Sequence, residues 1–399
     1  MVKLCKNVRR LRVLQIGCTL GMGGAETWLM ELLKHWSLNR RVQMDLLLTS
    51  GERGIFDQEA IKLGARLYYV PYVRSNLLRF VKEFRRILRD GQYDAIHDHS
   101  DYAAGWRLLM GFGVTPPVRV THVHNPWLHI DANYAVTPSR RLSTIIGKKL
   151  VNLLATQISG TSTAVLRRYG FEPGREQKPP VEVIHCGIDV SAFNRSRELD
   201  RASVLREFDW PGNSKLVLFA GRLDRALQIG HPQNHKNSWF ALHVAREASK
   251  CDSRLRLMMA GSGDRERNEL ERHISEWRLQ DRLKLIGIRR DIPRLMRAAD
   301  ALLFPSRQEG LGMVAVEAQA AGLPVLASDA VPSECVVIPS LYQALPLDRP
   351  IEEWAAALLQ AMEKSRFSAK QRGRFFQGSA FSIEESAKRL ERIYSSGDA

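Results

Sequence analysis

Short apolar runs alternate with helix-length amphipathic segments from one end of this chain to the other, and that rhythm limits the fold more than any other feature. A strand covered on both faces reads as an unbroken apolar run, whereas a strand with one wet face alternates. Unbroken runs separated by helices are the pattern of a parallel sheet between helical layers, an α/β fold. The first series of runs is residues 12–17, 43–48, 67–70, 95–97, 118–123, 157–159 and 181–184. A second series follows at 215–220, 255–260, 283–286, 301–304, 325–327 and, weakly, 336–338. Between them residues 189–214 are polar, with Pro211, Gly212 and Asn213, and read as an interdomain connection. A chain of 399 residues, 44% apolar, can bury two ordinary cores. The expected division is 1–195, 196–378 and a closing segment 379–399.

Five cysteines, Cys5, Cys18, Cys186, Cys251 and Cys335, are scattered with no C-x-x-C. That argues against a disulfide scaffold or a structural zinc site and fits a reducing cytoplasm. The basic start, residues 3–12, precedes an apolar run too short for a signal peptide. No run approaches the roughly eighteen apolar residues of a membrane span, so any membrane contact is expected to be peripheral. Residues 1–195 carry 28 Lys and Arg against 16 Asp and Glu, a net of +12 out of +16 for the chain. A surface of that sign favours anionic partners: lipid headgroups, nucleic acid or a pyrophosphate-bearing acceptor.

The most informative local stretch is E-G-L-G-M-V-A-V-E, residues 309–317. It follows a short apolar strand and runs into an apolar helix ending at Gly322 and Pro324. Gly310 and Gly312 let the backbone approach a ligand, and the free N–H groups of a helix's first turn suit a diphosphate. A carboxylate beside a phosphate is repelled unless it serves another part of the ligand, and sugar or ribose hydroxyls donate to carboxylates. Glu309 and Glu317 bracket the site, and the implied ligand is a nucleotide carrying a sugar. Taken alone, the two are a loop acid and a helix-surface acid.

E-x7-E with a central G-x-G, then A-x-A-A-G-x-P-V and the S-D of Ser328 and Asp329, resembles the donor site of retaining glycosyltransferases of family 4. The resemblance covers about residues 12–348, by several motifs in order. It implies the GT-B fold: two Rossmann-like domains facing across a cleft, the second holding the nucleotide sugar, the first recognising the acceptor, and the last helix returning to the first domain. It implies hexosyl transfer to an acceptor hydroxyl without metal or cofactor, by front-face departure and attack in which the leaving phosphate accepts the acceptor's proton. It assigns donor contacts to Gly310, Leu311, Gly312, Met313, Val314 and Glu317, with Glu309 on the sugar.

Other motifs extend the resemblance. Gly21 to Glu26 read G-M-G-G-A-E at the end of the first strand. A nicotinamide fingerprint needs a third glycine where Glu26 stands and an acid after the second strand, which ends Thr49, Ser50. The family pattern instead sets Gly23 and Gly24 against the donor diphosphate and the acceptor; the alternative is a turn that only packs the helix. Two strands end in H-x-H, His97 with His99 and His122 with His124, and alternate strand residues point the same way, which suits metal ligation. No D-x-D occurs in the chain, and His124 matches the family histidine that reaches the donor sugar; His99 and His122 are expected to be structural. Arg222 and Lys236 match the pair of cations on the donor phosphates. Thirteen residues separate them here, read as a loop insertion after which 234–237 restore the register, with Lys215 or Arg225 as substitutes. Gly261 and Gly263 lie in a G-S-G expected near the nucleotide, as does 287–289; both are equally good turns. Cys186 replaces the usual Asn in the interdomain element and, lacking a base, is expected to be structural.

The resulting expectation is a metal-independent retaining glycosyltransferase of the cytoplasm, in bacterial cell-surface polysaccharide or glycolipid assembly, using a nucleotide sugar and a sugar or lipid-linked acceptor. The alternatives are a nucleotide-sugar epimerase of the same fold and, from another class, a basic nucleic-acid-binding protein, which lacks any reading module. In residues 76–89, Leu77, Val81, Phe84 and Leu88 recur at helical spacing among Arg79, Lys82, Arg85, Arg86 and Arg89, and a basic-apolar stretch spans 140–154. The two readings are an ordinary core-facing stripe and an interfacial helix on the inner face of an anionic membrane.

Overall fold

The computed structural model describes residues 9–125, 137–223, 228–231 and 233–398. Arg225 and part of the inserted loop lie outside them. The chain forms two compact units: the first takes the described residues of Met1–Trp127, Ala135–Ile188 and Ala380–Ala399, the second Asp189–Ser379.

In the first unit β1 (Leu11–Gly17), β2 (Val42–Leu48), β3 (Leu67–Tyr69), β4 (Ala95–Asp98), β5 (Val118–Val123), β6 (Gln157–Gly160) and β7 (Val181–Val183) form one sheet in the order β3-β2-β1-β4-β5-β6-β7. Every pairing is parallel. The order reverses between β1 and β4, and open α/β sheets bind ligands at the carboxyl ends of the strands flanking such a reversal. The helix Ile383–Tyr394 belongs to this unit. The Ser382 hydroxyl caps it by accepting from Glu385 N, and two indoles of the helix Gly24–Asn39 reach it: Trp28 Nε1 donates to Ser386 Oγ at 2.9 Å and Trp36 Nε1 to Glu391 at 3.0 Å.

The second unit holds β8 (Lys215–Ala220), β9 (Leu255–Ala260), β10 (Leu283–Gly287), β11 (Ala301–Phe304), β12 (Val325–Ser328) and β13 (Tyr342–Leu345), in the order β10-β9-β8-β11-β12-β13, again all parallel. Its core packs Phe219, Phe240, Trp354 and Leu358. The chain enters this unit at Asp189, ahead of the 195/196 boundary read from polarity. Arg297 fixes that stretch by donating to Ala192 O at 2.6 Å, and Arg372 by donating to Phe193 O at 3.1 Å. Residues 336–338 are not a strand. The N–H groups of Val337 and Ile338 donate to the buried Gln319 Oε1 at 2.8 and 2.7 Å, a partner inside the domain that replaces a ladder, and β13 supplies the edge.

The apolar residues of the basic stripe divide between its two readings. In the helix Leu77–Gly91 the buried face is Phe80, Phe84, Ile87, Leu88 and Gly91. Phe84 and Leu88 therefore belong to the core and are not available to a bilayer. Arg85 donates to Met110 O and Phe112 O, and Arg86 pairs with Glu83. Among the described residues no helix is long and apolar enough to cross a membrane. Cys18, Cys186, Cys251 and Cys335 are free thiols, and burial pushes the Cys186 thiol well up, as a structural cysteine requires.

Candidate active site

β8 and β11 are neighbours in the second sheet, so the loops at their carboxyl ends meet. Lys236 Nζ donates to Glu309 Oε1 at 2.6 Å. The Lys236 stem lies over Gly221, where an added Cβ would come within 3.2 Å of its Cγ. The loop is pinned by Arg307 N donating to His235 O at 2.8 Å, while Asn234, His235 and Asn237 are buried. The chain thus brings Lys236 back to the strand end that carries Arg222. Lys215 is no substitute: it stands at the opposite end of β8, paired with Asp252 and Glu363.

Arg222 is exposed, and it lies near enough to His235 to depress that imidazole, after burial, which is the larger cause. Lys236 retains two donors beyond the one given to Glu309. The helix Met313–Ala320 starts from Gly312 in the left-handed region, φ 93°, with no side chain capping it among the described residues. A side chain at Gly312 would also press on Val331, 2.8 Å from an added Cβ. Leu311 is buried, and Met313, Val314 and Glu317 are half-buried. The edge therefore offers two cations, a carboxylate and uncapped backbone donors, the set that an anion with hydroxyls requires.

The neighbouring glycines have packing reasons of their own. An added Cβ on Gly261 would sit 1.9 Å from Gly221 O, so close approach of the β8 and β9 ends demands glycine there. Gly263, at φ 137°, starts the helix Asp264–Glu276. Arg289 is engaged with Glu207 and Asp291. In the first unit Gly23 precedes the helix Gly24–Asn39, and the Glu26 carboxylate folds over it, 2.1 Å from where a Cβ would stand. Burial raises the Glu26 carboxyl.

The other strand ends, of β4 and β5, gather four histidines. His97 Nε2 lies 3.1 Å from His122 Nδ1, and His99 Nδ1 lies 2.8 Å from His124 Nε2. His97 Nδ1 meets the Tyr394 hydroxyl at 2.6 Å, and His99 Nε2 meets Gln15 Oε1 at 2.8 Å. Trp28 packs against all four rings. Burial holds every one of these imidazoles well below its usual range, and the neighbouring rings add to the effect. Ligand atoms of His97, His99 and His122 lie within 4.8 Å of one another, close enough to hold an ion, and the group contains no carboxylate. A dication buried there would lack countercharge, and the hydrogen bonds already engage all three residues. His99 and His122 thus sit in one hydrogen-bonded network with His124.

Asp101 was not singled out by sequence. It takes a left-handed φ of 50°, accepts from His124 N at 3.4 Å, and has its carboxyl pushed up to about 7 by burial. Beside it Asp98 is locked to Arg107 by two bonds of 2.6 Å. Gln15 and Tyr394 were missed as well. Only Asp101 left a local trace, as an acid two residues beyond a histidine-bearing strand end.

Comparison with known proteins agrees with this arrangement. Residues 22–192 match the family described as Glycosyltransferase Family 4, and residues 200–375 match Glycosyl transferases group 1. EpsF of Bacillus subtilis (strain 168), named as a glycosyltransferase, is 30% identical over 363 residues, 90% of each chain. The chain belongs to glycosyltransferase family 4. This glycosyltransferase is also 22% identical over 388 residues to CapH of Staphylococcus aureus, named for capsular polysaccharide biosynthesis, covering 97% of this chain and 99% of that one. Anabaena HepE, solved with UDP-glucose, has the same GT-B fold: TM-score 0.74 at 20% identity, over 97% of this chain and 100% of the other.

Proposed function

We propose that this glycosyltransferase moves a hexose, with retention and without a metal, from a nucleoside diphosphate sugar to an acceptor hydroxyl in polysaccharide or glycolipid assembly. The carrying observation is the Lys236–Glu309 pair at the carboxyl edge of the second sheet, next to Arg222 and the uncapped helix start at Gly312. In this reading Arg222 and Lys236 hold the departing diphosphate, and fixed cations in a partly dry site stabilise charge without reorganising. Glu309 accepts from a sugar hydroxyl and Glu317 from the ribose. His124 contacts the donor sugar from the first domain, which takes the acceptor. The names of EpsF and CapH and the UDP-glucose held by HepE support donor and pathway class.

The test is a screen of nucleotide sugars in excess chelator, with and without lipid-linked acceptors, reading release of nucleoside diphosphate and the anomeric configuration of the product. Acceptor-dependent release with retention is expected. Acceptor-independent interconversion of the nucleotide sugar would favour an epimerase, and an absolute Mg²⁺ requirement would overturn the metal-free reading.

Contact with an anionic membrane is proposed for a smaller surface than the full stripe. Val73, Leu77 and Leu78 are exposed at 51%, 39% and 88%, and Arg74, Arg79 and Lys82 are exposed around them. Apolar insertion joined to basic attraction binds such surfaces. Sedimentation with vesicles containing anionic lipid should fall when Leu78, Arg79 and Lys82 become Asn, Gln and Gln, and unchanged salt-insensitive sedimentation would refute the contact.

A further inference from the structure

The histidine network allows little freedom in where its protons sit. A neutral imidazole has one N–H and one lone pair. Gln15 Nε2 donates to the Tyr394 hydroxyl at 3.1 Å, and Gln15 Oε1 faces His99 Nε2 at 2.8 Å. A carbonyl oxygen only accepts, so the His99 proton is on Nε2 and its Nδ1 is a lone pair. His124 Nε2, 2.8 Å from that lone pair, must then be the N–H of His124. Its Nδ1 then carries the lone pair and can only accept.

The second branch runs in the same sense. The Tyr394 hydroxyl accepts from Gln15 and lies 2.6 Å from His97 Nδ1; with the hydroxyl proton directed at that nitrogen, His97 Nε2–H faces His122 Nδ1 at 3.1 Å. In that sense the His122 proton sits on Nε2, which is buried without a hydrogen-bond partner among the described residues. Turning the Gln15 amide by half a rotation would reverse every bond, move all four protons to Nδ1 and make His124 a donor. One amide therefore sets the tautomer of His99 and His124 and, through the Tyr394 hydroxyl, bears on His97 and His122.

We propose that Gln15 is a positioning residue of glycosyl transfer: acting through His99, it holds His124 in the Nε2–H form, so that a hydroxyl of the donor sugar donates to a lone pair on His124 Nδ1. This rests on the donor-contact role proposed for His124. Tyr394 carries the same sense to His97 and His122, which ties the last helix of the chain to the site. A ring held in the wrong tautomer loses function even where its position is unchanged.

The experiment is long-range ¹H–¹⁵N correlation of the full chain labelled at histidine, from about pH 6 to about pH 8, where Nε2–H, Nδ1–H and imidazolium forms have distinct patterns. His124 is expected to be neutral and Nε2–H throughout. Gln15→Leu should lose the single tautomer at His99 and His124 and lower kcat on UDP-glucose by about 10- to 100-fold, the range for supports of a ligating ring, with KM little changed. Nδ1–H at His124 in the native chain, or an unchanged His124 pattern in Gln15→Leu, overturns the inference. Gln15→Glu guards against misfolding of the leucine variant. His99 is faced by Trp28, His97, His122 and His124, so the new carboxylate would draw a second proton onto it. An imidazolium there donates from Nδ1 and must force His124 to Nδ1–H, giving activity that is lost at low pH and regained as His99 deprotonates. His124 remaining Nε2–H beside a charged His99 also overturns it. Separately, His124→Ala with native turnover would remove the donor-contact role whatever the tautomers. An inactive His124→Ala beside fully active Gln15 variants would overturn the positioning role alone.

Discussion

The two sheets present opposite chemistry at equivalent places. The carboxyl ends of β4 and β5 carry four imidazoles, all neutral because Trp28 and the last helix desolvate them. The corresponding ends of β8 and β11 carry fixed charges, Lys236 with Glu309 and an exposed Arg222. What covers the edge makes the difference. A covered edge expels charge and is held by hydrogen bonds; an open one keeps its charge and can bind an anion.

The sharpest way to break this contrast is to neutralise the charged edge. Lys236→Ala should lower turnover by roughly 2 to 4 kcal/mol in the transition state, the scale of a lost oxyanion donor. Lys215→Ala, at the far end of the same strand, should leave turnover native. A silent Lys236→Ala in steady-state kinetics would remove the phosphate-clamp role. Glu309→Gln follows, with an expected 10- to 100-fold loss in kcat and little change in nucleotide affinity, about 1.4 to 2.7 kcal/mol. Equal losses in kcat and in nucleotide binding would make Glu309 a mere partner for Lys236.

Acid separates the edges in a third way. A histidine whose folded pKa is depressed leaves the unfolded state binding more protons, so stability falls as pH drops below about 6.5, by at most about 1.4 kcal/mol per residue per pH unit. His97 and His122, both 0% exposed, count fully. Asp101, raised to about 7, works in the opposite direction, since its folded form takes up a proton first. Four depressed histidines outweigh Asp101 and Glu26, whose carboxyl is also raised by burial, so the first unit loses stability as pH falls. In the second unit Asp291 is lowered to about 2 by Arg289 and Arg294, so its share is kept until pH falls below the ordinary carboxylate range. His235 and His243 are depressed in the second unit as well, two against the four of the first, so hydrogen exchange at pH 5 against pH 7 should show β4 and β5 losing more protection than β8 and β11, and the reverse order would refute the assignment of charge. The smallest effect is expected from Glu317→Gln: a several-fold rise in KM for the nucleotide with kcat retained, about 1 kcal/mol.

Much of the fold is legible in the order of residues along the chain. Twelve of the strands announce themselves as largely apolar runs, because burial on both faces leaves few polar positions, and those few, such as Gln15, His97 and His122, belong to the hydrogen-bonded strand ends. β13 does not, since Tyr342, Gln343 and Leu345 are only half-buried at the sheet's edge, whereas residues 336–338 look like a strand and are held by Gln319 instead. The glycine-bearing loop before Met313 is readable from its spacing. Lys236 is readable by residue type, but its distance in sequence from Arg222 leaves the choice between it and Lys215 open; the Lys236–Glu309 pair and the place of Lys215 at the other end of β8 separate the two.

The sequence by itself determined two α/β series, a helix started from a glycine-bearing loop and the glycosyltransferase family, because hydrophobic period and glycine placement are local properties written in order along the chain. Tertiary structure alone decided that Lys236 meets Glu309, that Asp101 is driven toward a neutral pKa, and that the histidines share one network with Gln15 and Tyr394, 379 residues apart. Desolvation and the closing of a hydrogen-bond chain depend on which distant segments cover a strand end, and no local pattern of residues encodes that.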